Sequence, residues 1–411
     1  MEKAMPAGRQ DSLESRAGKV LSPALSHYTS LEVEKGKGVF LISKAGRKYL
    51  DFACGIAVTN LGHCHPKVVA AAVKQAKKLI HACAGIVYYE PNILLAEKLS
   101  KICPAGLNMS FFCQSGSEAV EGAIKLAKYV KNKPGIIAFH GGFHGRTLGA
   151  LSVTTSKQKY RDRYEPLLPN VFIAPYSQKD SLAKVEDILK SNPIAGVIVE
   201  PIQGEGGYVV PSGDFLAGLR ELCDKYDALL IFDEVQTGFG RTGKMFASEH
   251  FGVYPDVMAL AKGIASGFPL GAVIGKTEIM KQWSPGAHGS TMTGNPVSCA
   301  AAIATIDVME KEKLPQAALK MGKYMKAKLD KLKEKYNSIV DVRGLGLMIG
   351  VEFKDGPTVK KVMNSCLDGG LILISCGTRD QVIRVIPPLI VNKQQIDSAM
   401  KIFEEALKDL S

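Results

Sequence analysis

Residues 228–234 read ALLIFDE and residues 257–263 read VMALAKG. Each is a short apolar run that ends in a charged residue, and each leads into a glycine-containing stretch, TGFGRTG at 237–243 and IASGFPLG at 264–271. Such runs read as buried strands. Others of the same kind lie at 109–113, 135–139, 171–174 and 195–199. Between them the period changes. Residues 118–131 carry Val120, Ile124, Leu126, Ala127 and Val130 at near-helical spacing, and 215–226 is similar. Strands alternating with helices from about 109 to 275 imply an α/β domain whose mostly parallel sheet is flanked by helices on both faces.

After Asn295-Pro296 the pattern changes to two long helical segments, 297–312 and 314–336, then a β-branched run at 339–353. Short apolar runs at 371–374 and 382–386 and a last helix at 393–410 complete a smaller α+β C-terminal domain. The expected division is an N-terminal segment, 1–50, packing with the small domain; a large domain, 51–296; and the small domain, 297–411. No repeat or low-complexity linker separates them, so the domains are expected to pack firmly.

The 411 residues exceed the usual single core, which fits two domains. With 46% apolar residues and 41 glycines the chain reads as globular, and no stretch offers the roughly twenty consecutive apolar residues of a membrane span. Met1 to Arg16 mixes Glu2, Lys3, Arg9, Asp11 and Glu14 and lacks the apolar centre of a secretory signal. The nine cysteines are odd in number, scattered and without C-x-x-C spacing, so reduced thiols in a cytoplasmic protein are expected. The net charge is +12, but Lys323, Lys326, Lys328, Lys331, Lys333 and Lys335 are interleaved with apolar residues as on a solvated helix face. No nucleic-acid or membrane partner is expected, and the positive field favours small anionic substrates.

Asp233 closes a strand at the end where open α/β sheets bind ligands. Lys262, held against apolar neighbours, is easier to deprotonate, and the neutral amine is the form that makes an imine. Residues 114–119, QSGSEA, lie between a strand and a helix, where backbone N–H groups bind phosphate; Ser115 or Ser117 would cap that helix. Singly these signals are weak, since strand-end Asp residues are mostly turn formers and lone lysines are mostly solvated. Their combination is far more specific.

Together these motifs resemble the signature of class III aminotransferases, enzymes of PLP-dependent transferase fold type I that include 4-aminobutyrate, N-acetylornithine and ornithine aminotransferases. The resemblance runs from about Leu50 to Leu389 and meets several motifs in order. It implies that Lys262 carries pyridoxal 5'-phosphate (PLP) as a Schiff base and, once freed, moves the proton between substrate and cofactor. It also implies that Asp233 pairs with the pyridine nitrogen and keeps it protonated. Gly116 and Ser117 would hold the phosphate, Phe143 of the FHGRT run at 143–147 would stack on the ring, and Gln236 would hydrogen-bond the phenolic oxygen. Thr291 would reach the phosphate of a neighbouring subunit, which implies a homodimer with shared active sites. His144 reads as a hydrogen-bonded structural residue. The run STMTGNP at 290–296 departs from the family pattern, with Met292-Thr293 in place of an aromatic followed by Gly. Whether Ser290 or Thr293 also contributes stays open.

By the same resemblance Arg146 binds a substrate carboxylate, and Glu205 and Arg384 match a switchable pair of the ω-amino enzymes. An ω-amino donor such as 4-aminobutyrate has no carboxylate beside its reacting carbon, so Glu205 would neutralise Arg384. A 2-oxo acid does carry one, and Glu205 would then swing aside for it. Ile56, in GIAV at 55–58, would line the substrate side, where ornithine enzymes place a tyrosine. Ser375-Cys376-Gly377 is similar to a turn of the 4-aminobutyrate enzymes, while the chain length is closer to acetylornithine enzymes. The expected partners are thus an amino donor and a 2-oxo acid. The expected reaction is transamination of a 4-aminobutyrate-like ω-amino acid with 2-oxoglutarate, giving a semialdehyde and glutamate. N-acetylornithine or ornithine is the alternative donor. A PLP-dependent epimerase or aminomutase shares the scaffold, and a non-enzymatic binding module would not keep Lys262, Asp233, Gly116, Gln236 and Thr291 together.

Overall fold

The computed structural model describes residues 12–104 and 106–410. The start of the expected 1–50 segment, residues 1–11, lies outside the described residues. The strands are β1 (Val33–Lys37), β2 (Phe40–Ser43), β3 (Lys48–Asp51), β4 (Leu107–Cys113), β5 (Gly135–Phe139), β6 (Val171–Ala174), β7 (Ile194–Val199), β8 (Leu229–Asp233), β9 (Val257–Leu260), β10 (Gly271–Lys276), β11 (Ile339–Leu345), β12 (Met348–Phe353), β13 (Leu371–Ile372), β14 (Ile374–Cys376) and β15 (Val382–Val385).

The central sheet has the order β4-β10-β9-β8-β7-β5-β6. From β9 to β6 the pairings are parallel, whereas β10 is antiparallel to both β4 and β9. β5, β7, β8 and β9 are buried along their whole length, which is why they read as unbroken apolar runs with no alternation. β10 was not among the expected strands, because glycines at 271 and 275 break up its apolar run, GAVIGK. Helices cover both faces. Gly116–Lys131 packs Ala119, Ala123 and Ala127 against one face, and Ser181–Ser191 and Phe215–Lys225 close the other around Phe139, Phe215 and Phe232.

Helices Pro296–Lys311 and Leu314–Lys335 lead to an antiparallel sheet of order β11-β12-β15-β14. β13 leaves this group and pairs in parallel with β3, Leu371 opposite Leu50, so C-terminal residues complete the sheet begun by β1, β2 and β3. Ser375 and Cys376 lie in β14, and the turn expected there begins only at Gly377, with φ 89°. The helix Gly356–Gly369 was hidden by its Gly-Pro opening, yet Asp355 caps it by accepting from Thr358 N at 2.9 Å.

One buried cation ties these parts together. Arg241 is fully buried and donates to the carbonyls of Leu347 (3.0 Å) and Pro387 (2.6 Å), to Asn60 Oδ1 (2.7 Å) and to Cys54 Sγ (3.6 Å). All four acceptors are uncharged. No helix among the described residues is long and apolar enough to cross a membrane.

Candidate active site

The C-terminal ends of β5, β7, β8 and β9 lie side by side, so the residues that follow them converge. A cavity of about 300 Å³ sits there, lined by Gln114 to Ser117, Phe143, His144, Glu200, Asp233, Gln236 and Lys262, and by Val58 and residues 267–270.

Asp233 ends β8 and is 4% exposed. One carboxylate oxygen accepts from Val235 N at 3.0 Å, and the other meets His144 Nδ1 at 2.7 Å. Burial works against a charged His144, but the hydrogen bond to Asp233 and the charges of Asp233 and Glu200 outweigh it and raise the pKa. His144 therefore donates to Asp233 and orients its carboxylate.

Lys262 follows β9 and opens a short 3-10 turn at φ 46°, a left-handed conformation that costs a residue with a β-carbon about 1–2 kcal/mol. Its amine makes no hydrogen bond or ion pair among the described residues. Burial above all lowers its pKa; the charge of Asp233 opposes this, and that of Arg384 adds to it. The result is a lysine biased toward the neutral, nucleophilic form.

At the opposite wall, Ser115 caps the helix Gly116–Lys131 by accepting from Glu118 N at 3.2 Å, while Glu118 accepts from Gln114 N at 2.6 Å. The first-turn N–H groups of Gly116 and Ser117 find no acceptor among the described residues, and Gln114 Nε2 is buried without a partner. Unmet donors at a helix N-terminus fit a phosphate. The turn is crowded. A β-carbon on Gly116 would stand 2.8 Å from Val235, and one on Gly145 would stand 2.3 Å from Ser117 Oγ. Gln236 Oε1 accepts from Tyr208 at 2.8 Å, which leaves its NH₂ end to donate. An unpartnered amine, an oriented carboxylate, an aromatic face from Phe143 and a phosphate cradle thus fit a flat, phosphorylated, nitrogen-containing ring.

The remaining residues form a charged cluster. Arg384 and Glu205 are both buried and ion-paired through Glu205 Oε2, and Arg384 Nε also donates to Ser375 O at 3.0 Å. Glu205 Oε1 accepts from Tyr160 OH at 3.0 Å and from Lys157 Nζ at 2.9 Å. Burial raises the Glu205 carboxyl, but Arg384 and Lys157 together bring it below its ordinary value. Arg146 is exposed and stacks over the Tyr160 ring, 3.5 Å from its centroid, which links it to the same cluster.

Five expected residues do not line the cavity: Arg146, Glu205 and Arg384 of the charged cluster, and Ile56 and Thr291. Ile56 is 44% exposed, and Val58, two residues on, lines the cavity wall. Thr291 is exposed in the turn before helix Pro296–Lys311, while its neighbour Ser290 donates to Gln114 Oε1 at 2.9 Å. Sequence reasoning missed Lys157, Tyr160 and Glu200 as site residues. Glu200 follows β7, so the strand-end rule that singled out Asp233 would have found it. It accepts from Phe143 N (3.0 Å) and Gly204 N (2.9 Å), and burial, opposed by His144 and aided by Asp233, pushes its carboxyl up to about 7.

Fold and site together define an enzyme set up for amine–carbonyl chemistry on a phosphorylated cofactor. The family described as "Aminotransferase class-III" matches residues 22–407. The chain is 47% identical to an acetylornithine aminotransferase of Methanocaldococcus jannaschii, over 92% of this chain and 93% of the relative. It is 42% identical to the 5-aminovalerate aminotransferase DavT of Pseudomonas aeruginosa, over 89% and 91%. A solved transaminase from the marine bacterium Virgibacillus superposes with a TM-score of 0.93 at 31% identity, covering 97% of this chain and 99% of that one. The chain belongs to the class III aminotransferases, which are PLP-dependent enzymes that pass an amino group between an amino donor and a 2-oxo acid.

Proposed function

We propose that the donor is an ω-amino acid, a terminal primary amine with a carboxylate at its far end, and that 2-oxoglutarate is the acceptor. The observation that carries this reading is the buried Glu205–Arg384 pair with the exposed Arg146 linked to it through Tyr160. Arg146 takes the distal carboxylate in both half-reactions. Arg384 is neutralised while the donor, which has no second carboxylate, is bound, and is released when the 2-oxo acid arrives. The 4-aminobutyrate donor expected from sequence is one methylene shorter than the 5-aminovalerate named for the Pseudomonas aeruginosa relative. N-acetylornithine is the second reading, favoured by the Methanocaldococcus jannaschii relative.

Asp233 would hold the ring nitrogen, Gln236 the phenolic oxygen, Phe143 the ring face, and Gly116 with Ser117 the phosphate, joined by Thr291 of a second copy in a homodimer. PLP when bound supplies an electron sink and a carbonyl carbon that accepts the amino group. Lys262 would hold the cofactor and, once freed as a neutral amine, would take the proton from the substrate carbon at Nζ and deliver it to the cofactor carbon that carries the amino group away. Val58 and residues 267–270, which also line the cavity, would limit the access of water to that proton. A cytoplasmic enzyme is the matching location.

The test is a screen of 4-aminobutyrate, 5-aminovalerate, N-acetylornithine, ornithine and the α-amino donor alanine with 2-oxoglutarate, following glutamate. Glutamate from 4-aminobutyrate or 5-aminovalerate supports the reading, and glutamate from N-acetylornithine alone supports the second. Turnover confined to α-amino donors, or stereoinversion without glutamate, as an epimerase would give, counts against it.

A further inference from the structure

Lys157 is 5% exposed, an unusual place for a lysine unless it is paired. Its Nζ lies 2.9 Å from Glu205 Oε1 and also pairs with Asp380 Oδ1. Asp380 sits at φ 59° in the turn between β14 and β15, the hairpin that carries Arg384, and lies 3.3 Å from Ser375 Oγ and 3.7 Å from the exposed Lys159 Nζ. The two oxygens of Glu205 are thus served separately, Oε2 by Arg384 and Oε1 by Lys157 and Tyr160.

We propose that Lys157, with Asp380 as its counter-charge, is a positioning and specificity-determining residue that keeps Glu205 held when a 2-oxo acid takes Arg384. This rests on the switch reading given above. When Arg384 turns to a substrate carboxylate, Glu205 loses the partner of one oxygen only. Without Lys157 it becomes a buried carboxylate with a single neutral donor, a strongly unfavourable state. Charge bookkeeping gives the direction. Lys157 and Arg384 balance Glu205 and Asp380, and Arg146 and Lys159 beside them leave an incoming carboxylate facing a net positive cluster. Removing Lys157 makes that cluster less positive before the carboxylate arrives, and removing the Asp380 charge makes it more positive. An ω-amino donor places no carboxylate there and is largely indifferent.

The experiment compares Lys157→Met, Lys157→Arg and Asp380→Asn holoenzymes with wild type. Steady-state kinetics are measured for both substrates, and calorimetry measures the binding of glutarate, a dicarboxylate that cannot react. Lys157→Met is expected to raise KM for 2-oxoglutarate and Kd for glutarate about tenfold while moving the donor KM less than about twofold. Asp380→Asn is expected to lower both dicarboxylate constants, and Lys157→Arg to stay near wild type. Equal losses for donor and acceptor, or changes of the same sign in Lys157→Met and Asp380→Asn, overturn the proposal, since a merely structural role harms both substrates alike. If wild type uses no ω-amino donor, the functional reading has failed, and the opposed glutarate shifts still decide the role of Lys157.

Discussion

Lys262 and Asp233 stand at the ends of adjacent strands, β9 and β8, yet face different electrostatic demands. For Lys262 burial favours loss of its proton, and for Asp233 the hydrogen bond from His144 fixes the carboxylate. Lys262→Ala is therefore expected to remove the visible absorption of the holoenzyme and to lower turnover at least about a thousandfold. A spectrum unchanged in the variant would remove Lys262 from the mechanism. Glu200 gives a test without cofactor. Its carboxyl, raised to about 7 from 4.5, binds a proton more tightly in the folded than in the unfolded protein. Its contribution to stability is complete below about pH 4 and is lost as the pH rises toward 7. Melting curves should show Glu200→Gln gaining on wild type between pH 5 and pH 8, and a constant difference would contradict the shift. Strand-end Asp233 and Lys262 were legible as candidates because each closes a local apolar run, and their roles came with the resemblance to class III aminotransferases. Lys157 and Tyr160 were not, because their partners Glu205 and Asp380 lie 45 residues or more away and no local pattern announces such a contact.

Among the elements, the start of helix Gly116–Lys131 is the one whose exact placement matters most, because its unmet N–H groups face the cavity. Gly145, at φ 137°, packs against Ser117 so closely that a methyl group would displace it. Gly145→Ala is expected to weaken PLP binding about tenfold or more by equilibrium dialysis while leaving the helix content seen by circular dichroism unchanged. Undisturbed PLP affinity would mean that the turn does not serve the phosphate. The long helices and the buried parallel strands were readable from period and length. β10 and helix Gly356–Gly369 escaped because glycine and proline occupy their ends, and β13 because a two-residue strand carries no periodicity.

For the whole molecule, the proposed division at 51 and 296 has to accommodate β13, which reaches back to β3. The proposed dimer has its own marker. Ile80, Ile86, Tyr88, Ile93 and Leu94 are exposed, and Asn295 Nδ2 donates to Ile80 O at 3.0 Å while Tyr89 OH donates to Thr293 O at 3.1 Å. This apolar surface therefore adjoins the turn that carries Thr291. Sedimentation velocity should show a dimer, and Tyr88→Glu should shift it toward monomer and loosen PLP. A dimer unaffected in both respects would place the shared site elsewhere.

Arg241 has a consequence in time. Its acceptors come from residues 54–60, 347 and 387, and no carboxylate stands in for any of them. A chain emerging from the ribosome can complete the central sheet's strands well before residue 387 appears, but until then this guanidinium must stay hydrated and the loop that follows Gln236 must stay open. Synthesis thus leaves the anchor of the loop after Gln236 incomplete until the residues around 387 are made.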